Sequence, residues 1–595
     1  MKMNKRTLGV ATAALCAAAS ALALQPREAE ACGGMFCDGG PQPMPVDQTG
    51  ENILFVWQDE TIEAHIQIQY VGEPQKFGWV IPLQGVPEFS VGSEPLFQAL
   101  LAGSVPTYGY TQTFDDCSLG DEGDGQNSGF DSDGAGGTSA GDSGDPTSGG
   151  GPDILLTQTV GAFEITVLQG SSGQEVFDWL QENDYEQDEE ALPILDEYIS
   201  EGILFAAVKL TGGAGVDEIH PIVLRFQGTE PCVPLRLTRI AAVENMGVRS
   251  FFLGDARHVP QNYRHVVVNH LKVDWITPTN YNDVVTLAVD EENANGRAFV
   301  TEYAGVSNIV QQGGIYSGSW NANTFSALEA TAVGAELENQ GFIFCDFDFG
   351  NGCTFTHPLL EGLLGEYVTP PAGIESAEYW GNQDSFPDAD VTLWDGPAFS
   401  AAMEARIVAP GLHAVDLLND NPYLTRMFTT ISPAEMTEDP EFHENADLPE
   451  VPNILNGTLR TLCNGDQVFT LPDGRELYLP AGGGWPALPD EPGGVPGAMP
   501  SSEIIEEVPN NGAPIRLTDN TDKINAVLLA WNQANEWPGI GAGDSAGTAA
   551  DDSSGDGGAA EGGTEGCGCS ADPQGSALWS MAGLLGLVAL RRRRD

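Results

Sequence analysis

The residues able to do chemistry are few in kind and widely scattered. Eight histidines (His65, His220, His258, His265, His270, His357, His413 and His443) include no HExxH pair, so the metalloprotease arrangement on a helix is absent. His265 and His270 stand five apart on a predicted strand, which sends them to opposite faces and disfavours a shared metal. The string G-x-S-x-G occurs at Gly137–Gly141 and Gly543–Gly547. Both copies sit in Gly/Ser-rich stretches, without the strand-to-helix turn that exposes a nucleophilic serine. Asp131, Asp133 and Asp142 fit positions 1, 3 and 12 of a calcium loop, but position 12 is not the bidentate Glu and no helices flank it. Asp346 and Asp348, with Asn351, make a better calcium candidate inside a loop that Cys345 and Cys353 can close. The competing reading of that loop is an ordinary turn stapled by a disulfide. No GxGxxG or P-loop string appears. The expectation is no catalytic residue and no cofactor, with calcium at that loop as the one exception.

Charge narrows the partners. The 595 residues carry 24 Lys+Arg against 86 Asp+Glu, a formal net charge of −62. Phosphate contacts need a basic face, so nucleic acid is excluded as a partner. An apolar share of 41% with 11 Trp and 25 Phe is enough for a buried core. Arg225, Arg236, Arg239, Arg249, Arg257 and Arg264 fall within 40 residues. Sharing one face, they would bind a polyanion; the favoured alternative is internal pairing with the many carboxylates.

The two ends carry the targeting information. Lys2, Lys5 and Arg6 precede an apolar run from Leu8 to Leu24, and Ala29-Glu30-Ala31 places small residues before Cys32. This is the layout of a secretory signal peptide cleaved between Ala31 and Cys32, with Ala21-Leu22-Ala23 as a second cleavage site and a first transmembrane anchor as the competing reading. At the other end Cys567 and Cys569 precede an apolar stretch at 577–590, closed by Arg591, Arg592, Arg593 and Arg594. Fourteen residues are short for a spanning helix, which needs about 20, but flanking residues extend it. The cysteine pair, short helix and arginine cluster resemble the MYXO-CTERM sorting tail. That resemblance implies a membrane stop, processing by a sorting protease at the cysteines, and display at the cell surface. An exported chain makes disulfides the default. Close spacing suggests Cys32 with Cys37 and Cys345 with Cys353; Cys117, Cys232 and Cys463 leave an odd count in the body.

The elements that must position any site read as mixed. Ile53–Trp57 and Thr61–Tyr70 form a hairpin, with Ile62, Ala64, Ile66, Ile68 and Tyr70 inward and Glu63, His65, Gln67 and Gln69 wet. Phe77–Ile81 is a short buried strand ended by Pro82, and Phe163, Ile165 and Val167 alternate. Helices are expected at Gln174–Asn183 and at Glu189–Ser200, the second capped by Asp188 and facing inward through Leu192, Leu195 and Ile199. Ile203–Leu210, Ile219–Phe226, Val248–Leu253 and Val266–Trp275 return to strand, while Pro397–Ile407 and Lys523–Glu536 look helical. The class is therefore α+β and β-rich, with mixed antiparallel sheets, a few helices and two acidic disordered linkers.

The division along the chain is a signal peptide at 1–31, a β-rich part at 32–117, an acidic insertion at 118–152 and a continuation at 153–310. A mixed region at 311–538, a stalk at 539–566 and the sorting tail at 567–595 complete it. Several strings carry a family resemblance: Cys32–Cys37, Pro45–Glu51, Gln67–Tyr70, Phe77–Pro82, Trp179-Leu180, Tyr198-Ile199 and Pro234–Leu237. Together they resemble domain-of-unknown-function family 2330, a family of exported bacterial proteins, over roughly 32–290. The resemblance implies an exported body and no activity, ligand or catalytic residue. The expected role is structural, adhesive or ligand-binding at the cell envelope, with export machinery, the sorting protease and the membrane as partners and the extracellular ligand unknown. The alternative is an extracellular hydrolase acting on peptide or glycan.

Overall fold

The expected hairpin forms. β1 (Gln48–Gln58) pairs antiparallel with β2 (Thr61–Ile68), setting Ile53 opposite Ile66 and Phe55 opposite Ala64. The computed structural model describes residues 48–537 apart from 59–60, 69–76, 118–150, 186–188, 213, 216–217, 229–230, 241, 347–351, 388, 487 and 489–498. The hairpin sits inside a ten-stranded sheet completed by β4 (Glu88–Val91), β9 (Ile222–Gln227), β10 (Ala242–Gly254), β12 (Arg264–Val268), β13 (Ala298–Val306), β16 (Tyr423–Ile431), β21 (Ser502–Glu507) and β22 (Ile515–Asp519). The order is β22-β21-β12-β13-β16-β10-β1-β2-β9-β4. β1 runs parallel to β10 and β12 to β13; the remaining pairs are antiparallel. The α+β, β-rich class holds.

Both faces of this sheet are covered. One packs on a four-stranded antiparallel sheet of β3 (Gly78–Leu83), β8 (Leu204–Leu210), β7 (Phe163–Gln169) and β6 (Asp153–Val160). Ile53, Phe55 and Phe252 from the large sheet meet Ile81, Ile165 and Val208 from the small one. The other face carries the helices Glu94–Ser104 and Ala409–Asp420, through Leu54, Val56, Leu96, Leu100 and Leu417. This second cover corrects one expectation. Glu63 and His65 are not wet but 5% and 1% exposed. Period-2 alternation separates two faces by polarity and says nothing about what covers the polar one.

Local departures have local causes. β3 continues through Pro82 to Leu83, because it is an edge strand and the missing N–H costs the ladder little. The helix Ala191–Ser200 buries Ala191, Ile194, Leu195 and Tyr198 rather than Leu192 and Ile199. The Tyr198 ring packs edge-on to Phe205 and its hydroxyl reaches Asp439, which turns that side inward. The strand expected through Trp275 stops at Val268. There Asn269 Nδ2 donates to the Pro500 carbonyl and its Oδ1 accepts from Leu271 N–H, a side-chain turn that competes with the ladder. The expected helix at Pro397–Ile407 runs as Gly396–Met403, passes through a π-turn at Glu404–Val408 and continues to Asp420. The helix expected at Lys523–Glu536 spans Thr521–Ala534.

A third sheet joins β20 (Glu476–Leu479), β19 (Gln467–Thr470), β18 (Ile454–Thr461) and β5 (Thr107–Phe114), the last two parallel. Cys117 and Cys463 form a disulfide where that parallel pair ends, across a sequence separation of 346. Spacing gave no hint of this bond. The short ribbons are β11 (His258–Pro260) with β17 (Phe442–Glu444), and β14 (Ile343–Asp346) with β15 (Gly352–Phe355). The second carries the expected Cys345–Cys353 disulfide. Cys232 is the free cysteine among the described residues. Among those residues no helix is long and apolar enough to cross a membrane. The signal peptide, Cys32, Cys37, residues 118–150 of the first acidic linker, the second linker, the 577–590 segment and the sorting tail lie outside them.

Candidate functional site

Where the two facing sheets part, they leave a cavity of about 470 Å³. Its apolar wall comes from alternate residues of neighbouring strands: Ile53 and Phe55 of β1, Ala64 and Ile66 of β2, Leu224 and Phe226 of β9. Ile81 and Leu83 of β3 face them. The polar wall is built from loops and helix ends, with Tyr198, Glu201, Cys232, Arg236, Asn262, Glu438, Asp439 and Glu441. That is the composition of a small-molecule site: mostly apolar, with a few converging polar groups.

Arg236 organises the polar wall. Its backbone N–H and Nε donate to the two oxygens of Asp439 at 2.8 and 2.9 Å. Its terminal nitrogens grip Glu201 in a bidentate pair, both at 2.7 Å. The guanidinium lies 4.0 Å from the centre of the Tyr198 ring, and Tyr198 Oη donates to Asp439 Oδ2 at 2.8 Å. The hydrogen bonds from Arg236 hold Glu201 below the ordinary carboxylate range, and Glu201 in turn raises Arg236. Burial pushes Asp439 up, against the pull of Arg236 and Tyr198, which favour the carboxylate. Burial also pushes the Cys232 thiol well up, reinforced by the Asp439 and Glu441 carboxylates, so it stays a protonated thiol. The loop bearing Asp439 is fixed from behind: Asn262 Nδ2 donates to the Asp439 carbonyl, and Tyr263 Oη to that of Glu438.

The sequence-predicted residues are placed elsewhere. Asp346 ends β14, half-buried, while Asp348 and Asn351 of the calcium candidate lie outside the described residues. Ala31, Cys567, Cys569 and Arg591 to Arg594 also lie outside. The arginine cluster is dispersed. Arg225 approaches Glu63 at 3.7 Å, Arg264 pairs with Glu507 at 2.8 Å, and Arg249 stacks over Phe428. Arg257 is buried against Thr301, His265 and the Pro449 carbonyl. Arg225, Arg236 and Arg264 thus meet carboxylates, as the favoured alternative expects, whereas Arg249 and Arg257 are held by a ring and by neutral acceptors. Sequence reasoning missed the cavity, though one signal was there: Ile81, Pro82, Tyr198, Pro234 and Arg236 all belong to the strings that carried the family resemblance, and all line it.

Residues 26–310 match the model of the DUF2330 family, described as an uncharacterized protein conserved in bacteria. No curated protein matches the chain, and no solved structure does.

Proposed function

We propose that this DUF2330 member is an exported, surface-displayed binding protein, and that the cavity between its two sheets takes a small molecule with an apolar body and a cationic or hydrogen-bond-donating end. The observation that supports this is the cavity's polarity split. Six strand side chains offer hydrocarbon on one side, and on the other Glu201, Glu438, Asp439 and Glu441 stand against a single arginine among the lining residues. An anionic head would meet net repulsion there; a cation would be attracted. The hydrolase reading has less support. Both Asp439 oxygens are taken by Arg236 and Tyr198, and a thiol held protonated is a poor nucleophile.

Octyltrimethylammonium and octanoate share a chain and differ in head charge, and binding of each is measured by calorimetry on the purified protein. The cationic probe binds at least about tenfold tighter, an effect of ~1.4 kcal/mol. Ile66→Trp, which fills the apolar wall, weakens it by a similar factor while the circular dichroism spectrum is kept. Equal binding of both probes, or binding untouched by Ile66→Trp, rejects the cavity as the site.

Export rests on the charged and apolar ends of the chain. Fractionation recovers the protein outside the cytoplasm without residues 1–31, and Cys567→Ala with Cys569→Ala leaves it unprocessed and off the surface. A full-length cytosolic product, or unchanged display of the double variant, removes the targeting argument.

A further inference from the structure

The face of β2 opposite the cavity gathers three metal-ligating side chains from two elements. Glu63 and His65 stand two apart on the strand and so share a face; His413 comes down from the helix Ala409–Asp420. Both imidazoles aim Nε2 at one atom, Glu63 Oε1, from 2.7 Å (His65) and 2.5 Å (His413). The three donor atoms lie within 4.8 Å of one another. The rings are nearly parallel, with centroids 6.1 Å apart. The second Glu63 oxygen faces the half-exposed Arg225 at 3.7 Å. The Glu63 and His65 side chains are 6% and 2% exposed, that of His413 42%, so the cluster is walled on the sheet side and open on the helix side.

We infer that Glu63, His65 and His413 form a binding site for one divalent transition-metal ion of the zinc type, with a coordination position left open to solvent. Two nitrogens already converging on one point are what such an ion requires, since it sits about 2.0–2.1 Å from imidazole nitrogen. A modest withdrawal of the carboxylate oxygen makes room for it. Two imidazoles and one carboxylate suit zinc and its neighbours, whereas calcium and magnesium take oxygen ligands. Three protein ligands and an open fourth position are the form of sites that bind an exchangeable water or a ligand, not of closed structural sites. The buried His65 Nδ1 has no hydrogen-bond partner, which leaves the Glu63 contact as the hydrogen bond that orients this ring. Nothing in the sequence announced the trio, because His413 lies 350 residues from Glu63.

The test is calorimetric titration of the chelator-treated full-length protein with Zn²⁺, in excess Mg²⁺ to occupy the acidic surface. The expected result is one equivalent bound, with affinity lowered at least tenfold by His413→Ala and by Glu63→Gln. His413 is the informative variant, because its exposed side chain can be removed without opening the core. Co²⁺ serves as a second probe. It gives visible bands of a four- or five-coordinate nitrogen–oxygen site, without thiolate charge transfer, and His413→Ala abolishes them. Absence of stoichiometric Zn²⁺ binding overturns the inference. So does wild-type affinity in His413→Ala, or a thiolate spectrum, which would assign the metal to cysteines instead.

Discussion

Acidification from pH 7 to pH 5 lowers the stability of the protein. Burial drives four histidines down: His220, His270 and His357 to about 4 and His258 to about 3, against an ordinary value near 6.5. Each is neutral in the folded chain and takes a proton on unfolding. Between the folded and unfolded values the unfolded state therefore binds more protons. The stability these groups confer is complete above pH 6.5 and falls as pH drops toward 4. His220 shows why the fold resists the proton. Its Nε2 accepts the Ala162 N–H at 3.1 Å and its Nδ1 faces the Pro221 carbonyl at 2.9 Å, so the neutral ring is fully used. Gly161 makes room for it: at φ +58°, a Cβ there would sit 2.1 Å from Nε2. Each histidine contributes up to about 1.4 kcal/mol per pH unit. Glu51, raised by burial to about 7, works in the opposite sense, as do Asp439 and Glu218, which burial also raises. Glu94 and Asp290 are raised by burial too, so the carboxylates offset part of the histidine slope, and the expected outcome is a net fall in stability as pH drops from 6.5 toward 5. Urea unfolding across pH 7.5 to 4.5 checks this. His220→Gln, which offers an acceptor without titrating, should flatten the slope by up to ~1.4 kcal/mol per unit. A flat profile between pH 7 and 5 would show these rings to be more hydrated than the structure has them.

Removing one buried guanidinium also destabilises the fold. Arg426 on β16 is 3% exposed and pairs with Glu302 on β13, itself 6% exposed. It also donates to the Leu101 carbonyl at 3.1 Å and to Ser104 Oγ at 3.3 Å. Those acceptors end the helix Glu94–Ser104, where a cation is favoured by the helix dipole. Arg426→Met leaves the buried Glu302 without its guanidinium partner, at a cost of about 3–5 kcal/mol. The double variant Arg426→Met with Glu302→Leu should recover most of the loss, since an apolar pair removes the stranded carboxyl group. Equal stability of the single and double variants in urea unfolding would mean that Glu302 is not desolvated.

How much of this was legible depends on sequence distance. The hairpin of β1 and β2 could be read because alternation and a short turn are local signals. The Cys345–Cys353 bond could be read because eight residues separate its partners. The cavity could not. Ile53 and Asp439 come together only after β16 has entered the sheet and Arg236 has gripped the loop beyond it. Arg236 itself looked like one member of a basic cluster, because composition counts charges and does not show which carboxylate each one meets. The polar side of β2 was misjudged for the same reason: the helix Ala409–Asp420 that covers His65 begins about 340 residues later. Cys117 and Cys463 needed the parallel pairing of β5 and β18, for which a single strand carries no mark.

The place of β16 bears on how this chain is made. It lies between β10 and β13, both of which precede it in the chain by more than a hundred residues. At a ribosomal rate of about 5–20 residues per second, the stretch from Gly254 to Tyr423 takes roughly ten to thirty seconds to emerge. Until β16 emerges, the edge of β10 that it will cover stays open, as does that of β13 once it has formed, and unpaired edges of this kind are prone to pair with other chains. A polypeptide whose keystone arrives so late is also one that a translocation pore can still thread, which accords with the proposed passage out of the cell.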